Sequence, residues 1–369
     1  MRVLYLTRGQ SPHDLRFTRA LSQTTHQVFV ACLETPAAEA WPVGITEVKK
    51  VEPVTGNFWE TFSPRAKQVR RIIEAIKPDL IHAGPIQDVA FWVVVAKFHP
   101  LVSMSWGSDL MRQAESSLWN RWVTRYTLGY TDVLVGDCDC VGQKAARFGF
   151  PLERFKKFPW GVDLEHFSPA GFADLRETLG WQDKTVLLSN RSLEGLYGVD
   201  VIVQAFIQAR KSNPELRLLL FGKGSQEEKL RQMLTESGHL GDVHFGGFAD
   251  FEQLPDVYRS ADLFISASHS DGSSVSLMEA LACGLPVIVS DIPGNLEWVR
   301  EDENGWLFHD GSVEELSVKM LLAAAEMKAV DRIKENNRSL AESRADWTRN
   351  FPVLLEAYDL AMQSKVKND

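Results

Sequence analysis

Long hydrophobic runs are missing from this chain, and that absence narrows the field first. No apolar stretch approaches the ~20 residues a helix needs to cross a bilayer, which argues against an integral membrane protein. Cysteine is scarce: Cys32, Cys138, Cys140 and Cys283 follow no framework spacing. A disulfide scaffold is therefore not expected, and a reducing cytoplasm is the natural compartment. The opening run Met1–Thr7 reaches Arg8 and Gly9 at once, so a first β-strand is expected there and not a signal peptide. No internal repeat is visible, and the short polar tail Gln363–Asp369 is the one low-complexity segment. Strong positive charge is missing too, since the formal net charge is −9. Residues 1–168 hold 20 Lys and Arg against 17 Asp and Glu, and the remainder 20 against 32. That balance excludes a general nucleic-acid binder. It leaves room for an anionic substrate or lipid surface on the N-terminal half.

What is present is ordinary for a soluble protein: 44% hydrophobic and 24% charged residues. The 369 residues are too many for one core and suit two domains. Short apolar runs alternate with amphipathic stretches almost throughout. Val3–Leu6, Val28–Cys32, Leu80–His82, Leu101–Ser105 and Val133–Val135 read as buried parallel strands, with helices over Pro64–Ile76 and Ser117–Leu128 among the spacers. The pattern restarts after Phe167-Ser168-Pro169 with Thr185–Leu188, Leu218–Phe221, Val243–Phe245, Leu263–Ser266 and Val287–Ser290. Two βαβ series imply an α/β protein of two doubly wound domains, with ligands at the C-terminal ends of the strands. A last helical pattern covers Trp347–Met362.

One segment carries most of the chemistry. In Asp271-Gly-Ser-Ser-Val-Ser-Leu-Met-Glu279, two carboxylates stand eight residues apart around the start of a helix. Gly272, Ser273 and Ser274 leave backbone N–H groups uncovered there, which is a ready anion site. Pro286 then ends the helix and Val287-Ile288-Val289 begins the next strand. An acid, a phosphate cradle and a second acid suit a sugar nucleotide. The segment resembles the Glu-x7-Glu signature of retaining glycosyltransferases of the GT-B type, family 4, with Asp271 in place of the first Glu.

That resemblance implies two Rossmann-like domains facing across a cleft. Residues 1–168 would bind the acceptor and 169–346 the nucleotide sugar, with a helix over 347–369 crossing back onto the first domain. It assigns Glu279 to the ribose hydroxyls and Asp271 to a sugar hydroxyl. Arg191 matches the Arg that grips the donor diphosphate, with a planar fork suited to two phosphate oxygens. Ser273, Ser274 and Val275 would meet the distal phosphate or the sugar. Gly222 and Lys223 lie in a turn after a strand, and Gly247 and Phe248 are the base-contact candidates. Gly9 matches a glycine near the diphosphate. Tyr197 stands where the family usually has Lys, so one positive charge is missing from the clamp, and Lys223 or Arg8 are the candidates to replace it.

On the acceptor side, His13, Asp14, Arg16 and His82 are polar groups at strand ends. Ser105-Trp106-Gly107-Ser108-Asp109 resembles a family segment written His-Gly-x-Asp, with Trp106 replacing the His and Asp109 retained. Asp137-Cys138-Asp139 is an Asp-x-Asp triplet without supporting ligands, so no metal is expected. Pro159-Trp160-Gly161-Val162-Asp163 resembles the family's crossover turn. The activity implied is transfer of a sugar, with retention, from a UDP- or GDP-sugar to a hydroxyl of a glycan or lipid-linked glycan, without metal or cofactor. A sugar-nucleotide epimerase and a catalytically weak pseudo-glycosyltransferase that only binds are the alternatives. Phe58, Trp59 and Phe62 precede Arg65, Lys67, Arg70 and Arg71. Aromatics beside cations suit an anionic membrane, so the expected location is the cytoplasm, peripheral at the inner face of the membrane.

Overall fold

The computed structural model describes the chain except residues 36, 49–57, 327–329 and 369 and the side chains of 58–61 and 365–368. Two compact units emerge, one of Met1–Phe158 with Phe351–Asp369 and one of Pro159–Asn350. The change of unit falls at Phe158/Pro159, ahead of the 168/169 boundary read from the sequence.

In the first unit, seven strands form one parallel sheet: β1 (Arg2–Thr7), β2 (Gln27–Cys32), β3 (Ile45–Glu47), β4 (Leu80–Ala83), β5 (Leu101–Met104), β6 (Val133–Gly136) and β7 (Phe155–Lys157), in the order β3-β2-β1-β4-β5-β6-β7. Leu4 lies opposite Phe29 and Ile81, and Tyr5 opposite His82. Because side chains alternate along a strand, Leu4, Leu6, Ile81 and Ala83 pack under the helix Phe58–Ile76 through Val69, Ile72 and Ile76. Tyr5 and His82 take the other face, where Tyr358 of the C-terminal helix Trp347–Asn368 meets them.

The second unit holds six parallel strands: β8 (Thr185–Asn190), β9 (Leu216–Phe221), β10 (Val243–Gly247), β11 (Leu263–Ser266), β12 (Val287–Ser290) and β13 (Gly305–Phe308), ordered β10-β9-β8-β11-β12-β13. Val186, Leu188, Leu219 and Phe264 pack on the helix Val275–Ala282. Leu187, Leu218, Leu220 and Ile265 pack on the helix Val199–Arg210. In the helix Val275–Ala282, Leu277, Met278, Ala280 and Leu281 are all fully buried, as an apolar helix of this kind must be. Truncating Leu281 to Ala there would cost about 2–5 kcal/mol.

Every expected strand falls on an observed one. Three strands went unread: β3, β7 and β13 are three or four residues long and stand at sheet edges. Such strands are too short to show a period. The crossover segment is fixed within the second unit. Val162 N donates to Ala345 O at 2.6 Å and Trp347 N to Val162 O at 3.0 Å. Gly161 sits at φ +70°, and a Cβ there would meet Ala345 O at 2.6 Å. The chain segments at the two ends of this unit thus run bonded side by side.

Candidate active site

The sheet of the second unit reverses direction at β8, with β9 on one side and β11 on the other. Ligands of doubly wound sheets bind outside the C-terminal strand ends at such a reversal. Arg191 is the first residue after β8, and the chain leaving β11 reaches Asp271 and then the helix Val275–Ala282. The two arms meet. Arg191 Nη2 donates to Asp271 Oδ2 at 2.5 Å, and Nη1 to the hydroxyls of Ser274 and Ser276 at 2.6 and 3.0 Å. Its guanidinium also lies 4.3 Å from the Tyr197 ring centre. Tyr197 therefore braces the existing cation through its ring face instead of supplying a second one. Ser274 caps the helix, accepting from Leu277 N. Ser273 accepts from Trp298 Nε1 at 2.9 Å. Gly294 packs on the turn so closely that a Cβ would come within 2.2 Å of Gly272 O. The helix start and the Arg fork are thus held in place before any ligand arrives.

Glu279 lies one turn further along the helix and is buried. Tyr258 Oη donates to its Oε2 at 2.7 Å, and Asn190 Nδ2 donates to Tyr258 Oη at 3.1 Å. Burial, then the neighbouring Glu279 charge, push the Tyr258 hydroxyl well above its ordinary pKa, so it stays a donor. This support was not read from the sequence. Tyr258 belongs to the short helix Leu254–Arg259, which carries no motif. Ser276 could have been found, standing two residues beyond the capping serine.

The loops after β9 and β10 complete the group. Gly222 has φ +132°, and a Cβ there would approach Arg191 O to 2.2 Å. Gly222 N donates to Gly247 O at 2.6 Å. The glycine is required because three strand ends converge on it. Lys223 is exposed and makes no ion pair among the described residues. Phe248 is 67% exposed and so is not a core residue. Val275 is half-buried and opens the helix.

The first unit treats its candidates differently. Asp14, 1% exposed, accepts from Tyr5 Oη at 2.8 Å and forms a capping box with Ser11. His82 is also 1% exposed, with Nδ1 2.7 Å from Tyr358 Oη. Burial lowers its pKa to about 3. Asp109 accepts from Ile86 N, Ser105 Oγ, Trp106 N and Leu110 N at 2.6–3.0 Å. These three side chains hold loops and strands in shape, where the sequence suggests acceptor contacts. His13, Arg16 and Trp106 are half-buried, with the His13 and Trp106 rings 6.1 Å apart. Gly9 lies beside Thr35. Arg8 pairs with Asp88 at 2.7 Å.

Asp139 pairs with Lys157 at 2.6 Å. Of the expected membrane patch, Phe62 packs on Trp92 and Arg65 is buried against Leu33 O. Lys67, Arg70 and Arg71 are exposed, and the side chains of Phe58 and Trp59 lie outside the described residues.

Two family models match this chain: "Glycosyl transferases group 1" over residues 172–340 and "Glycosyl transferase 4-like" over 2–135. With both halves matched, the chain belongs to the glycosyltransferases of group 1, with the GT-B fold. The GtfA subunit of the UDP-N-acetylglucosamine–peptide N-acetylglucosaminyltransferase of Streptococcus gordonii is 39% identical over 110 residues, 30% of this chain and 21% of that protein. A GDP-mannose-dependent monoacylated alpha-(1-6)-phosphatidylinositol monomannoside mannosyltransferase of Corynebacterium glutamicum is 30% identical over 174 residues, 44% of this chain and 45% of that protein. The chain therefore aligns with less than half of each relative's length. Anabaena HepE, solved in complex with UDP-glucose, superposes with a TM-score of 0.80 over 97% of this chain and 99% of that one, at 20% identity. That likeness is one of fold.

Proposed function

We propose that the protein moves a sugar from a UDP- or GDP-sugar to a hydroxyl of a glycan or lipid-linked glycan intermediate, with retention and without a metal ion. The observation that carries this reading is the Arg191 fork, fixed by Asp271, Ser274 and Ser276 at the sheet reversal and at the start of a helix whose next turn presents Glu279. In the reaction the bond from the anomeric carbon to the diphosphate oxygen breaks and a bond to the acceptor oxygen forms. Negative charge grows on the departing diphosphate. Arg191 and the helix N-terminus are fixed positive groups that need no reorganisation to stabilise it, and with the exposed Lys223 they do the work of a metal. Glu279 accepts hydrogen bonds from the ribose hydroxyls.

Retention is supported by the resemblance of Asp271–Glu279 to the signature of retaining glycosyltransferases, and a covalent enzyme intermediate is not the expected route. Asp271 is tied to Arg191, and a carboxylate held in an ion pair attacks poorly. The acceptor's proton then passes to the diphosphate on the face it leaves. The UDP or GDP choice is supported by the donors named for the two relatives. A membrane-borne acceptor is supported by the phosphatidylinositol mannoside in the second relative's name, and the protein would meet it in the cytoplasm at the inner face of the membrane.

The test is incubation of UDP- and GDP-sugars with and without glycan acceptors, followed by NMR. A glycoside of unchanged anomeric configuration plus free nucleoside diphosphate supports the reading. A new sugar nucleotide from donor alone would show an epimerase, and an unaltered but bound donor would show a binding protein.

A further inference from the structure

The helix Leu118–Tyr130 in the first unit breaks the rule for a helix that covers a sheet. Its inner side is built as expected, with Val123, Thr124, Thr127 and Leu128 buried. Its outer side should be polar. Instead Leu118 is 87%, Trp119 42%, Trp122 51% and Tyr130 42% exposed. Trp119, Trp122, Tyr126 and Tyr130 follow at steps of three or four, so they form one stripe about 16 Å long at 1.5 Å per residue. The rings contact one another in series, Trp119 stacked on Trp122 at 5.1 Å, Trp122 stacked on Tyr126 at 5.2 Å and 8°, and Tyr126 tilted against Tyr130 at 5.0 Å and 50°. Stacked rings are already ordered, so little side-chain freedom is lost on docking.

The surrounding charge is of one sign. The helix carries Arg121 and Arg125 and no carboxylate. Its neighbours lie beside it on the same side of the sheet. Phe91 touches Trp122 and Tyr126, Phe62 touches Trp92, and Arg70 Nη2 donates to Val95 O at 3.3 Å. Among the described residues, these helices and the turn after Val95 expose Lys67, Arg70, Arg71, Lys97, Arg121 and Arg125 against Glu74. Nearby Glu115 is paired with Lys144, and Asp132 with His99.

We propose that this face docks the protein on an anionic membrane, with Trp119, Trp122 and Tyr130 entering the headgroup boundary and Arg121 and Arg125 meeting lipid phosphates. Exposed aromatic rings flanked by arginines match that boundary, apolar on one side and anionic on the other. A glycan would need a free ring face to lie on, but Trp122 has Trp119 on one side and Tyr126 on the other. A second copy packed face to face across a two-fold axis would set the arginines against their own images. The membrane contact expected over Phe58–Arg71 is thereby extended to the Leu118–Tyr130 helix, with Lys67, Arg70 and Arg71 beside it. The proposal rests on the reading of a membrane-borne acceptor for its purpose, yet it is measured without any substrate.

The experiment is sedimentation of the full chain with vesicles of phosphatidylcholine alone or mixed with phosphatidylglycerol, alongside the W119Q/W122Q and R121Q/R125Q pairs. Wild type should sediment with the anionic vesicles, release with salt and show a blue shift of tryptophan emission. Each double variant should lower partitioning about tenfold or more. Unchanged thermal melting and donor binding would show the variants folded. Wild type left in the supernatant at low salt overturns the proposal. So does vesicle binding that survives both double variants, or self-association or glycan binding abolished by W119Q/W122Q without vesicle binding. Vesicle binding lost in the variants while transfer to a soluble acceptor persists would support this surface independently of the transferase reading. Vesicle binding without any transfer would instead overturn that reading alone.

Discussion

The same parallel sheet occurs twice, yet the two copies spend their polar residues in opposite ways. In the second unit, groups from the ends of β8, β9 and β11 meet one another: Arg191 holds Asp271, Ser274 and Ser276, and Gly222 lets its loop close on the Arg191 backbone. In the first unit, Asp14, His82 and Asp109 also stand at or near strand ends but turn inward to Tyr5, Tyr358 and the β5 loop. The position of a polar residue after a strand therefore does not decide its role. What decides is whether neighbouring strand ends supply partners at the surface or inside. The second unit is ordered by side chains that contact each other where a ligand can reach, and the first uses its acids to shape loops.

The comparison would break most visibly at Arg191. Arg191→Ala should lower kcat by about 10²–10³ while weakening donor binding far less, because the charge it meets grows in the transition state. Equal losses in calorimetry and in turnover would show that it serves only the ground state. Asp109→Ala should do the converse. It strands buried donors at about 1–3 kcal/mol each, so the melting temperature should fall sharply while the folded fraction keeps its donor affinity. A stable variant with lost activity would place Asp109 back among the ligand contacts.

His82 sharpens the contrast through pH. Its folded pKa is held to about 3, against about 6.5 in an unfolded chain. Protonation favours the unfolded state, so this contribution is complete above pH 6.5 and drains as pH falls toward 3. The slope is at most about 1.4 kcal/mol per pH unit. Denaturant titrations at pH 7 and pH 5 should show a smaller pH difference for His82→Gln than for wild type. An identical pH difference would mean His82 is not buried neutral. The smallest effect is expected at Tyr197. Tyr197→Leu removes a ring face worth about 0.5–2 kcal/mol to the guanidinium, and Tyr197→Phe should restore kcat, whereas a need for the hydroxyl would show as equal loss in both.

Strand positions were legible because parallel strands buried on both faces read as unbroken apolar runs, and the helix Val275–Ala282 was legible from the small residues Gly272–Ser274 before it, although it ends at Ala282 and the chain turns at Gly284 (φ +73°), ahead of the expected stop at Pro286. The edge strands β3, β7 and β13 were not, being too short to carry a pattern. At the site, Arg191, Asp271 and Ser274 could be named from the motif, but the contact between Arg191 and Asp271 joins residues from separate strands. Tyr258 was invisible for the same reason, since its bond to Glu279 links two helices. The inward turn of Asp14 and His82 depended on Tyr5 and Tyr358, and no local pattern near either residue announces them.

The second unit is expected to hold a nucleotide sugar through Arg191 and Glu279. A thermal-shift panel of UDP- and GDP-sugars on wild type and Glu279→Ala tests it most directly. A ligand at a hundred times its Kd stabilises the native state by about 2.7 kcal/mol, so one donor class should raise the wild-type melting temperature. Loss of the charged acceptor at Glu279 should cost about 1.5–3 kcal/mol and move the same shift to at least tenfold higher ligand. A panel in which no nucleotide sugar raises the wild-type melting temperature, or in which Glu279→Ala responds at the same concentrations as wild type, would contradict it.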